Sequence, residues 1–121
     1  MTWVYEQRSG RLLHDGLVAC VGYAGKGEGK NNPEAQDQVK VGPIPRGTYT
    51  IEAPVDTTKN GPYVLRLTPA AYNNMCGRAG FLIHGDSTRA PGEASEGCII
   101  APRMVRERVW NSGDRELEVV E

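Results

Sequence analysis

Apolar and polar residues alternate in short runs along most of this chain, which is the period of strands rather than of helices. "TWVYEQ", "RLLH" and "LVACVGY" follow one another, with Ser9–Gly10 and Asp15–Gly16 between them. Such Gly-containing pairs between alternating runs predict two successive hairpins. "AGKGEGKNNPEAQDQ" has no period and reads as a flexible loop. In "VGPIPRGTYTIEAP" the first two prolines and the two glycines predict a fixed turn, followed by a strand over 48–53. "GPYVLRLTP" predicts a further strand ended by Pro69, and "GFLIH" and "GCII" are short and apolar, as buried strands are. One stretch, "PRMVRERVWNSG", has helical spacing. Pro102 suits the first helical position and Gly113 the C-terminal cap. Met104, Val105, Val109 and Trp110 form the expected apolar stripe, with Arg103, Arg106 and Glu107 on the polar remainder. "RELEVV" closes the chain as a strand with one wet face.

The expectation is a mainly β fold with one helix in the C-terminal half, in a single domain over residues 1–121. That length allows one core and not two. The 15 glycines and 8 prolines agree with a turn-rich β architecture. With 14 basic and 15 acidic residues spread along the chain, neither nucleic acid nor an anionic membrane is an expected partner. No apolar run is long enough for membrane insertion. The N-terminus lacks the pattern of a signal peptide, so the chain is expected to be made in the cytoplasm and either to stay there or to leave by another route. The loop does not match a phosphate-binding pattern: Ala24 stands at its first glycine and Asn31 at its hydroxyl. Whether residues 25–38 close over a substrate is left open.

Cys20, Cys76 and Cys98 are an odd count without a C-x-x-C pair, which excludes a full disulfide framework and the usual zinc patterns. Cys20 reads as core, and Cys76 has no assigned role. A metal site from His84, Asp86 and Cys98 is a weak candidate, so no metal or cofactor is expected. His14 abuts a turn and reads as a strand-end surface residue. His84 and Cys98 sit at the edges of two apolar stretches with a polar loop between them. Two adjacent strands joined by that loop would bring them together. An imidazole beside a thiol can take its proton, creating the thiolate that attacks carbonyls. Gly97 would let a substrate carbonyl approach the backbone, and N–H groups at Gly97 and Cys98 could hold the oxyanion. The other reading is a buried, inert cysteine beside a satisfied histidine. Both stand on these residues alone. An activated thiol predicts faster alkylation of Cys98 than of Cys20.

Taken together, "GPIPRGTY", "HGD" and "SEGCI" resemble the Pro-x-Gly turn, the His-Gly pair and the Ser/Thr-x-Gly-Cys box of L,D-transpeptidase catalytic domains. The match to "GYAGKGEGKNNP", "GPYVLRLTP" and "NSGDRELEVV" is closest to a subgroup of short proteins that includes type VI secretion effectors attacking peptidoglycan. The resemblance implies an L,D-transpeptidase-like β-sandwich or barrel. It implies Cys98 as acylated nucleophile, His84 as base, the Gly85 carbonyl as the group orienting the imidazole, Ser95 as a loop-shaping residue, and Gly97 with Cys98 as oxyanion donors. Glu96 stands where better-known members have a second histidine, and Ile100 where a polar residue is usual.

The implied substrate is the peptidoglycan stem peptide, cut before its terminal D-alanine by L,D-carboxypeptidase or L,D-transpeptidase exchange chemistry. Arg78 is the first candidate for the substrate carboxylate, with Arg89 and Asp86 as further substrate-binding candidates. The same resemblance implies delivery to the periplasm of a target bacterium, a cognate immunity protein, and contact with a secretion-machine component. Two alternatives are a non-catalytic wall-binding module on the same scaffold and a cytoplasmic cysteine hydrolase of another class.

Overall fold

The computed structural model describes residues 2–121. The expected hairpins are present: β1 (Thr2–Glu6), β2 (Arg11–His14) and β3 (Leu17–Val21) pair antiparallel in sequence. Gly10, Asp15 and Gly16 all take the positive φ that such tight turns require. β4 (Gly47–Ile51) lies within the predicted turn-and-strand region, followed by β5 (Val55–Thr57), β6 (Gly61–Pro69), β7 (Leu82–His84), β8 (Ile99–Ile100), α1 (Arg103–Asn111) and β9 (Glu116–Val120). β5 is a three-residue strand too short to show a period.

These strands form one mixed sheet in the order β3-β2-β1-β9-β4-β6-β7-β8, with β5 added along β6. Two parallel pairs set its shape. β1 and β9 lie side by side near the middle, with Trp3 opposite Leu117 and Tyr5 opposite Val119. All four side chains are buried, as the alternation in both strands requires. β7 and β8 form the second parallel pair at one edge. Just past β3, at the other edge, Tyr23 forms an isolated antiparallel bridge to Ile100 of β8. The two edges of the sheet therefore meet at one end, next to the loop between β7 and β8. Trp3, Tyr49, Ile51, Leu65, Ile83 and Ile99 belong to the enclosed core.

The helix packs differently from its sequence pattern. Val105 and Val109 are buried as expected, but Met104 is 77% exposed, whereas Arg106 is buried. The Arg106 Nε donates to the Tyr63 carbonyl, and its terminal nitrogens donate to Ala101 and Pro62. A guanidinium with three carbonyl partners can replace an apolar residue on the inner face. Pro102 is the N-cap with extended ψ rather than the first helical residue, and Gly113, at φ 80, follows the C-cap Ser112. Among the described residues, no helix is long and apolar enough to cross a membrane.

Candidate active site

The parallel register pairs Ile83 with Ile99 and His84 with Ile100. Successive side chains alternate between the faces of a sheet, so Ile83 and Ile99 both enter the core. His84 projects from the other face. Cys98, one residue before β8, lies on that same side, diagonally across the ladder from His84. Both line an open cleft of about 560 Å³.

The His84 Nδ1–H donates to the Gly85 carbonyl at 2.9 Å, which fixes the tautomer and leaves Nε2 as the basic nitrogen. Burial lowers the affinity of this imidazole for a proton. The Gly85 bond opposes that shift, and the Arg106 charge reinforces it. Burial also pushes the Cys98 thiol up, against the Leu82 backbone N–H and the Lys59 and Arg78 charges. Burial thus favours the neutral form of both groups. Burial raises the Cys20 thiol too.

The turn that presents Cys98 is built around buried Ser95. Its Oγ accepts from the N–H of Gly25 at 2.9 Å and of Gly97 at 3.0 Å, and donates to the Cys98 carbonyl at 2.6 Å. The Gly97 N–H, expected as an oxyanion donor, is held by Ser95 in this structure. The Cys98 N–H has no partner among the described residues and is the donor left at this turn. Gly97, at φ 139, also has a different purpose from the expected approach of a substrate carbonyl. A Cβ there would lie 2.5 Å from Arg78 and 2.9 Å from Phe81, so its missing side chain makes room for the protein itself. The "GPIPRG" turn secures the same loop from behind, since the Ile44 N–H donates to the Gly97 carbonyl at 2.9 Å. Ser95→Ala is expected to strand two buried N–H groups and to cost about 2–4 kcal/mol in a urea titration.

Arg78 is buried, and all four hydrogens of its terminal nitrogens go to backbone carbonyls. These are Gln36 (2.7 Å), Pro43 (2.9 Å), Gly42 (3.0 Å) and Glu96 (3.1 Å). Only Nε–H is left over from these bonds, and through them Arg78 ties two loops together. Asp86 is likewise occupied. Burial would raise its pKa, but the Tyr23 hydroxyl at 2.6 Å and the Ser87 and Gly92 N–H groups hold it below the ordinary value. Arg89 is exposed on the same loop and does not line the cleft. Among the described residues, no three His, Cys, Asp or Glu side chains converge as a metal site.

Two contributors were not singled out in the sequence. Tyr23 joins Asp86 to the Ala94 N–H. Arg106 packs against Gly85, where a Cβ would lie 3.1 Å from its guanidinium. Residues 25–38 are bonded down rather than loose: Gly25 is held by Ser95, the Lys26 N–H by the Val41 carbonyl and the Asn31 N–H by Ala24. Two short 3-10 turns, Gly27–Gly29 and Pro33–Ala35, shape this wall. Elsewhere, His14 is more than a surface residue: it stacks on Trp3 at 4.2 Å and its Nε2 contacts Asp114 at 2.6 Å.

The cleft carries four cations, Lys26, Lys40, Lys59 and Arg78, against two carboxylates, Glu93 and Glu96. A family model described as the Tlde1 domain matches residues 19–120, which include both sides of this cleft. No curated protein sequence matches the chain.

Proposed function

The chain belongs to the Tlde1 domain family, a family of type VI secretion effectors, and from that premise we propose that it is a cysteine acyl-transferase acting on peptidoglycan stem peptides. The observation that carries this reading is Cys98 and His84 on one face of a parallel strand pair, with the imidazole tautomer fixed by Gly85. In this reading, substrate binding places the carbonyl of the residue before the terminal D-alanine against the Cys98 sulfur. His84 Nε2 takes the thiol proton as the C–S bond forms, and the Cys98 N–H supports the oxyanion. Collapse breaks the peptide C–N bond. The proton passes from His84 to the departing amine, leaving a thioester that water or another amine resolves.

An effector family fits delivery into target cells and a cognate immunity protein. The periplasm is the destination we propose, because the substrate lies there; contact with a secretion-machine component belongs to the same proposal. The test is mass spectrometry of disaccharide-tetrapeptide incubated with the protein, with and without an added D-amino acid. Loss or exchange of the terminal D-alanine is expected. An untouched tetrapeptide under both conditions would overturn the assignment and favour the wall-binding module.

The pH dependence follows from the neutral pair. The His84 pKa is depressed below 6.5, so the base is in its active form above that range. Activity is expected to be flat across pH 7 and to fall only as acid protonates His84. Iodoacetamide labelling of Cys98 should be slow at pH 7 and accelerate toward and above pH 9, the ordinary value from which burial raises the thiol. An alkylation midpoint near pH 6 would instead indicate a preformed ion pair.

A further inference from the structure

Glu96, the residue at which the sequence departs from the better-known box, stands two positions before the nucleophile and in the middle of the cleft's charges. Its Oε2 lies 4.0 Å from Lys26 and its Oε1 3.9 Å from Lys59. The two lysines come from different segments, Lys26 from the loop after Tyr23 and Lys59 from the turn between β5 and β6. Both pairs lack a hydrogen bond, and all three side chains are roughly half exposed or more. Ion pairs of this kind contribute little to stability, so their arrangement is not needed to hold the fold. The Glu96 backbone is fixed by Arg78, while its carboxylate is free to leave. Lys40 adds a third ammonium to the lining and has no ion pair among the described residues.

One carboxylate between two ammoniums, beside a cysteine, is the geometry of a bound acidic ligand supplied by the chain itself. We propose that Lys26 and Lys59 bind a carboxylate of an acidic peptide substrate, and that Glu96 occupies their site as an internal stand-in which the substrate displaces. This rests on the stem-peptide reading and adds to it a recognition element and a built-in competitor. The proposal also accounts for Arg78 being engaged elsewhere: the carboxylate ligands are on the rim, and the buried arginine holds the rim's backbone in place.

The test separates the two claims. Turnover of disaccharide-tetrapeptide by the unaltered protein judges the stem-peptide reading. Binding of the same molecule to Cys98→Ala protein, measured by calorimetry, judges this one. In that background Glu96→Gln is expected to tighten binding roughly 3- to 10-fold, because the competitor loses its charge while keeping its shape. Lys26→Ala with Lys59→Ala should weaken binding about 10-fold and abolish the gain from Glu96→Gln. A tetrapeptide with its carboxylates amidated should be indifferent to all three changes. In the active protein the same substitutions should move KM in the same direction as the affinity. Equal affinities across the variants, a gain from Glu96→Gln that survives loss of both lysines, or a change confined to kcat would each overturn the proposal.

Discussion

Cys98→Ala is expected to lower turnover of disaccharide-tetrapeptide by at least about 1,000-fold, with the melting temperature close to that of the unaltered protein. The sulfur forms the only bond to substrate in the proposed reaction, and no neighbouring side chain can replace it. Its removal should loosen the turn little: the thiol's own contact is the Leu82 N–H, and the turn is tied by Ser95 through the Cys98 carbonyl and the Gly97 N–H. His84→Ala is expected to cost a similar factor. With burial raising the thiol, the proton must leave during attack, and removing the imidazole removes the base that the proposed reaction assigns to it. The double variant should be no slower than either single one, since each change already removes the whole acyl-transfer step. Single-turnover kinetics on the purified tetrapeptide reads both effects. Retention of more than about a tenth of the activity by either variant would remove that residue from the proposed mechanism.

The strands around this pair were legible because tight turns leave strong local marks. Ser9–Gly10 and Asp15–Gly16 bracket β2, and the apolar runs ending at His84 and beginning after Cys98 are β7 and β8. That these two lie side by side was expected from the His84 and Cys98 pairing, but the parallel pairing of β1 with β9 was not legible: alternation reports which face is buried, not which strand lies alongside. The helix shows a second limit. Residue type put Arg106 on the wet face, yet three carbonyls left without partners around Pro62, Tyr63 and Ala101 make an arginine the residue that fits the inner face. Hydrogen-bond saturation likewise decided Gly97 and Arg78. Both were assigned to substrate because their chemistry suits it, and both turn out to be engaged by the protein. Glu96 was visible as a departure from a pattern, but its meaning depends on two lysines that only the fold brings to it.

Arg78→Lys is expected to destabilise the protein by about 2–4 kcal/mol and to reduce turnover well beyond what that loss of stability explains. The guanidinium reaches four carbonyls on two loops, Gln36, Gly42 and Pro43 on one and Glu96 on the other. A lysine keeps the charge but has three hydrogens on one nitrogen and lacks the planar fork, so it cannot meet both groups. It would also leave the face of Phe81, against which the guanidinium packs with 5.1 Å between its carbon and the ring centre. The unpaired carbonyls would then reach for water, and the turn carrying Gly97 and Cys98 would separate from the "GPIPRG" segment that backs it. Urea unfolding should show a lower midpoint with an unchanged slope, the mark of lost stability rather than a changed unfolded state. Because Gly97 has no side chain to fill the space, the deficit cannot be repaired locally. A midpoint equal to that of the unaltered protein, with turnover reduced, would reverse the assignment: Arg78 would then act on substrate through its charge and not through the loops it joins.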